Sequence, residues 1–277
     1  MIRYCIQRLT ECAIVLVVMS FLIYAVMALM PGDPIDIMVQ SDPNLTPADA
    51  VRLKALYGLD RPLGERYAYW ISAAVQGDFG YSRIHHKPAL DILMPRLVNT
   101  TWLMLVSLFV SLGLALPVGI YSALHHHSRT DYVINFLALG GISVPVFWLA
   151  LMLIVVFSVW LGWLPAGGMH TVGEESIIDS ARHMVLPVIT LSIASVGGLT
   201  RYVRAAMIEV MRHDYIRTAR AKGLSKNSIV FKHALRNAMI PVVTVLALSF
   251  GTLFSGALIT ETMFSYLGMG KLIYDSI

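Results

Sequence analysis

Long apolar runs separated by polar segments dominate the chain. The first, Leu9–Met30, holds 22 residues with Glu11 as its one charge. At 1.5 Å per residue it makes about 33 Å of helix, enough to cross a bilayer. It ends in Met30-Pro31-Gly32-Asp33-Pro34, a helix stop rather than the small-residue site of a cleaved signal peptide, so a retained spanning helix is predicted. Four further runs follow, at Thr100–Leu124, Tyr132–Leu161, Met184–Tyr202 and Met239–Thr260. They contain Pro117, Pro145, Pro187 and Pro241 in turn. Spanning helices tolerate proline because neighbours satisfy the freed carbonyl. The run Tyr132–Leu161 has 30 residues, more than a straight span needs, and is expected to tilt or extend beyond the bilayer.

Between the first two runs lies a polar segment. Thr46-Pro47-Ala48-Asp49 has the marks of a helix start, with a capping Thr, a first-turn Pro and an early acid; that helix should reach Tyr57 and stop at Gly58. A second helix, near Glu65 to Val75, sets Tyr67, Trp70, Ile71 and Ala74 on one face, an amphipathic stripe for the membrane or the bundle.

Composition agrees with membrane solvation. Of the 277 residues, 57% are hydrophobic and 14% charged, against roughly 25% charged in soluble domains; mean hydropathy is +0.68. Cys5 and Cys12 fall on one apolar helix, too few for a disulfide framework or a zinc site. The net charge of +4 is concentrated: nine of the 21 basic residues fall between Arg201 and Arg236. No aromatic platform accompanies them, so no nucleic-acid partner is expected. The amino-terminal stub carries Arg3 and Arg8, and the turn after the second span carries Arg129, whereas the 162–183 loop holds Glu174, Glu175 and Asp179 against Arg182. The positive-inside rule then places the amino terminus, the 124–132 turn and the 203–238 segment in the cytoplasm, and the 31–99 loop outside.

The 203–238 segment holds the most informative stretch. It reads as helix up to Lys222, a turn at Gly223, and a second helix capped by Ser225 that feeds the last span. A helix–turn–helix elbow is expected, with Ala219, Ala221 and Gly223 leaving little bulk at the bend so that another protein can approach. A solvated basic loop holding anionic lipid explains the charges equally well but not the small residues.

Several motifs occur in order along the chain: Arg3-Tyr4 with Gln7-Arg8-Leu9, Pro31–Pro34, Gly58–Leu63, Gly77–Gly80, Ser143–Trp148, Leu161–Pro165, His183–Pro187, Arg217-Thr218-Ala219-Arg220-Ala221-Lys222-Gly223-Leu224, His233-Ala234-Leu235-Arg236-Asn237-Ala238, and Glu261–Ser265 with Gly268-Met269-Gly270. Together they resemble the permease subunits of ABC importers in the dipeptide/oligopeptide/nickel family, and the likeness covers essentially the whole chain. It implies an all-α polytopic fold of the type I importer class, one permease domain over residues 1–277, in the inner membrane of a bacterial cell. It also implies a coupling role for Arg217, Thr218, Ala219, Ala221, Gly223, Leu224, Ala234 and Asn237. The partners implied are a second, homologous permease, two ABC ATPase subunits that bind ATP and magnesium, an extracytoplasmic substrate-binding protein and the lipid bilayer. The chain itself would be no enzyme and carry no cofactor; its cargo would be di- or oligopeptides, with nickel or a metal chelate as the alternative within the family. Two departures stand out. The coupling loop opens Arg217-Thr218-Ala219 where the general form has Glu-Ala-Ala, and family members continue past Gly270 into a sixth span, so five of six are expected here.

Other chemistries fail on residue pattern. Gly268-Met269-Gly270-Lys271-Leu272 lacks the glycine and the Ser/Thr of a phosphate-binding loop: Ser265 and Leu272 stand there. Ser255 lacks the glycine two positions earlier that a membrane serine protease needs, since Leu253 occupies it; small-residue packing is the simpler account. His85-His86 and His125-His126-His127 would lie on opposite membrane faces and cannot share a metal. The spans carry no central carboxylate relay, and no internal repeat is visible, so a secondary carrier is the weaker alternative.

Overall fold

The computed structural model describes residues 2–29, 46, 51–52, 54–55, 58–82, 84–174 and 176–276. Of the expected helix from Thr46 to Tyr57 only residues 46, 51–52 and 54–55 are described, the last four as helix; the Pro31–Pro34 stop and the side chain of Ser255 lie outside the described residues. The chain divides into two units, Met1–Asp91 and Ile92–Ile277.

In the first unit, α1 (Ile2–Leu29) has no buried side chain. An apolar helix this open is stable only where lipid replaces water. Helix α2 (Leu63–Val75) packs on it through the stripe the sequence predicted. Tyr67 shares a 2.7 Å hydrogen bond with Ser20 and donates to the Val17 carbonyl at 3.2 Å. Its ring meets Phe21 edge-on at 5.1 Å, and Trp70 lies 5.8 Å from Tyr24. A two-residue hairpin, β1 (Tyr81–Ser82) against β2 (Lys87–Pro88), follows.

The second unit is built around two long helices, α3 (Ala89–Leu124) and α6 (Ile177–Val210), each extending well past its apolar run. Between them lie α4 (Arg129–Ser143) and α5 (Val146–Leu153), the latter continued by π-helical turns at Ile154–Trp160. Serines start two of these helices: Ser128 Oγ accepts from Asp131 N at 3.2 Å, and Ser176 Oγ from Asp179 N at 3.1 Å. After α6 come α7 (Asp214–Ala221), π-helical turns at Ser228–Ala234, α8 (Leu235–Met263) and α9 (Met269–Asp275). Among the described residues four helices are long and apolar enough to cross a membrane, and five if α4 with α5 counts as one.

That pair corrects one expectation. Tyr132–Leu161 is not one continuous tilted helix: α4 and α5 meet at 96°. The proline ring clashes with the backbone of the residue before it and drives that residue out of the helical region. Val144 accordingly sits at φ −78°, ψ 124°, and the helix restarts with Pro145 as its cap. Pro95, Pro117, Pro187 and Pro241 stay inside their helices.

Helices α4 and α6 cross closely at two glycines. A Cβ on Gly197 would run into the carbonyl oxygen of Ala138, and one on Gly141 would stand 3.4 Å from the Ile193 carbonyl. Gly197→Leu must push α4 away from α6 and is expected to cost about 1–3 kcal/mol, as overpacking does. A lowered thermal-unfolding midpoint in detergent would show it; an unchanged midpoint would mean the crossing is loose.

The carboxyl-terminal end is tied to α3 by a buried carboxylate. Glu261 is fully buried and accepts from Thr100 Oγ1 at 2.6 Å and from Lys271 N at 3.1 Å. Thr100 accepts in turn from Met269 N at 2.8 Å, and Asn99 donates to the Leu267 carbonyl at 2.8 Å. A Cβ at 268 would strike the Glu261 carboxylate.

Candidate functional site

Helix α6 ends at Val210, and the chain bends into α7. The sequence gives α7 two inward apolar positions, Ile216 and Ala219, both buried. The helix stops at Lys222. Gly223 then turns the chain at φ +76°, a conformation side chains with a Cβ rarely take, with nothing near the space a Cβ would fill. The turn closes by Gly223 N donating to the Arg220 carbonyl at 3.0 Å and Leu224 N to the Ala219 carbonyl at 3.3 Å. Ser225 Oγ accepts from Ser228 N at 3.4 Å, and helix resumes at Lys226.

The inner face of this elbow is continuous with the bundle. Ile216, Ala219, Ile229, Val230 and Ala234 form one apolar cluster with Val203, Met207 and Val210 of α6 and with Ala238 and Val242 of α8. Asn237 adds a tether, its Nδ2 donating to Tyr215 Oη at 3.0 Å. The outer edge is different in kind. Arg217, Thr218, Ala221, Gly223 and Leu224 are all exposed, and a hollow of about 370 Å³ opens beside Arg220, Leu224 and Lys226.

The eight residues singled out from sequence therefore split. Arg217, Thr218, Ala221, Gly223 and Leu224 line the open edge, while Ala219 and Ala234 are core and Asn237 is a tether. Ala219 does not leave room at the bend for another protein: its methyl points into the cluster, because it falls one turn after Ile216 on the same helix face. The Arg217–Asp214 pair at 3.3 Å is exposed on both sides and contributes little.

Sequence reasoning missed the group that fixes α6 just before the elbow. Asp131 is 2% exposed, at the start of α4. Arg204 of α6 grips its carboxylate with two 2.7 Å bonds, from Nε and Nη2. Ser122 of α3 donates to the same carboxylate, as do His127 N at 3.0 Å and Asn135 Nδ2 at 2.9 Å. One carboxylate thus binds three helices. The signal was present, since an acid three residues after a capping serine belongs to a helix start, but Asp131 fell one residue before the apolar run. Among the described residues no three His, Cys, Asp or Glu side chains gather as a metal site.

The second unit is thus a helical bundle in which the elbow connects the long helices α6 and α8. Residues 115–277 match the family described as the binding-protein-dependent transport system inner membrane component, and residues 1–104 match its amino-terminal region. The chain belongs to this family. The permease is 41% identical over 278 residues to the oligopeptide transport system permease protein AppB of Bacillus subtilis (strain 168), covering all of this chain and 87% of that one. It is 39% identical over 277 residues to the glutathione transport system permease protein GsiC of Escherichia coli (strain K12), again over all of this chain and 87% of the relative. A crystal structure of an amino acid ABC transporter with histidines contains a chain aligning at a TM-score of 0.48 and 15% identity, over 68% of this chain and 79% of that one. The permease is thus an ABC importer subunit of the peptide family, a multi-pass component of the inner membrane.

Proposed function

We propose that this permease forms one half of the pore of an ATP-driven importer of peptides, and that the elbow at 211–234 is where a cytoplasmic ATPase drives it. The permease works as one domain over 1–277, with its amino terminus and the 203–238 loop in the cytoplasm and the 31–99 loop outside, facing a substrate-binding protein. A second, homologous permease completes the pore, and two ATPase subunits bind and hydrolyse ATP. The observation that carries this is the elbow's two-sidedness. Its outer edge of Thr218, Ala221, Gly223 and Leu224 is open, while its inner face shares one packed core with both α6 and α8. Close-packed interiors transmit displacement rather than absorb it, so a push on the edge moves both helices. Peptide cargo is supported by the relatives named for oligopeptide and glutathione transport.

Purifying the tagged permease from its native membranes in mild detergent tests this. ATPase subunits and a second permease should come with it, and vesicles holding the complex should take up peptide only with ATP and the binding protein. A permease recovered alone that still transports without ATP would replace the importer with a carrier.

A further inference from the structure

We infer that a furrow on the outer side of α6 binds the phosphate of an anionic phospholipid. Gly198, Arg201, Tyr202 and Ala205 recur at spacings of three and four along α6, which puts them in one stripe, and Arg212 follows in the turn after it. Two adjoining hollows lie along it, of about 570 Å³ and 550 Å³, sharing Arg204 and Ala205. Gly198 and Ala205 make a low floor in the first hollow, Asn135 and Ile142 of α4 form its far wall, and Arg201 and Tyr202 stand beside them.

The charges in the furrow are unequal. Arg204 is spent on Asp131, and in the second hollow Glu209 lies with Arg212. Among the described residues no acid lines the first hollow, and the exposed Arg201 guanidinium and Tyr202 hydroxyl have no acidic partner there. The group this hollow lacks is an anion that accepts from a guanidinium and a hydroxyl together.

Depth selects which anion. Helix α6 has 34 residues, about 51 Å, against a hydrocarbon core of about 30 Å, so it overshoots the core. Its apolar middle runs from Met184 to Leu199, with Asp179 and Arg182 before it, and Arg201 follows after Thr200. Arg201 therefore lies at the edge of the hydrocarbon, the level of lipid phosphates, and Ile142 and Tyr202 flank it with apolar surface for an acyl chain. Basic pockets between spanning helices at this level take anionic headgroups. Nothing in this site depends on peptide being the cargo or on ATPase docking at the elbow, so either can fail without the other.

Native mass spectrometry of the purified complex, after incubation in phosphatidylcholine nanodiscs with and without phosphatidylglycerol, tests the site. Bound phosphatidylglycerol should be seen on the wild type and fall about tenfold in Arg201→Gln, the loss expected for one charge-assisted contact. Tyr202→Phe should lower it less, and Arg129→Gln, which removes a cation outside the furrow, should leave it unchanged. Equal loss in Arg201→Gln and Arg129→Gln would reduce the effect to general surface charge and overturn the site. So would an adduct with the mass of inorganic phosphate in place of the lipid. A disulfide or cross-link from Tyr202→Cys to the second permease would mean that protein, and not lipid, covers the furrow.

Discussion

Gly223→Trp is expected to lower peptide uptake by about thirtyfold or more while leaving the amount of permease in the membrane unchanged. A contact at the centre of an interface is worth about 2 kcal/mol or more, and an indole at the exposed apex of the elbow would replace such a contact with a clash. Bulk is not the only change, because position 223 sits at φ +76°, and a non-glycine residue in left-handed backbone costs roughly 1–2 kcal/mol. Gly223→Asn separates the two causes, since asparagine tolerates that conformation. The asparagine variant should keep most of its uptake and still bring down ATPase subunits on purification, and the tryptophan variant should do neither. Equal losses in both variants would assign the effect to backbone strain, and normal uptake by Gly223→Trp would end the docking role of the elbow.

The second large effect is on stability. Asp131→Ala leaves the Arg204 guanidinium against α4 with its carboxylate gone, and removing one partner of a buried pair costs roughly 3–5 kcal/mol. Arg204 keeps 22% side-chain exposure, so the lower end of that range applies. At roughly 2–4 °C per kcal/mol, the unfolding midpoint in detergent should fall by about 10 °C. Asp131→Leu combined with Arg204→Met removes both charges and should recover much of the loss, because an apolar pair avoids the desolvation cost. If Asp131→Ala melts with the wild type, the network is not what holds α6 to α3 and α4.

The sequence made most of the architecture legible, for an identifiable reason. Apolar runs long enough to span have few other uses, and the stripe of Tyr67 and Trp70, expected on the membrane or the bundle, meets α1. Pro145 shows where periodicity fails. Four prolines lie in the apolar runs, yet Pro145 breaks its helix while Pro117, Pro187 and Pro241 do not. Which carbonyls find substitute partners is decided by neighbours distant in sequence. Ala219 and Gly223 divide the elbow the same way. The small residues marked a bend, but helical phase relative to Ile216 decided which of them faces out. Asp131 and Glu261 were hidden because each lies one residue outside an apolar run, where a charge reads as the end of a helix rather than as a buried acceptor.

The Glu261 clasp also bears on how the protein is made. Thr100 and its partner are separated by 161 residues, which at about 5–20 residues per second takes the ribosome roughly ten to thirty seconds to bridge. For that interval the amino-terminal end of α3 is in the membrane with its hydroxyl and amide groups unfastened. Biogenesis of the permease thus has a built-in waiting period, and a membrane chaperone or protease would meet α3 in a form that the finished protein never shows.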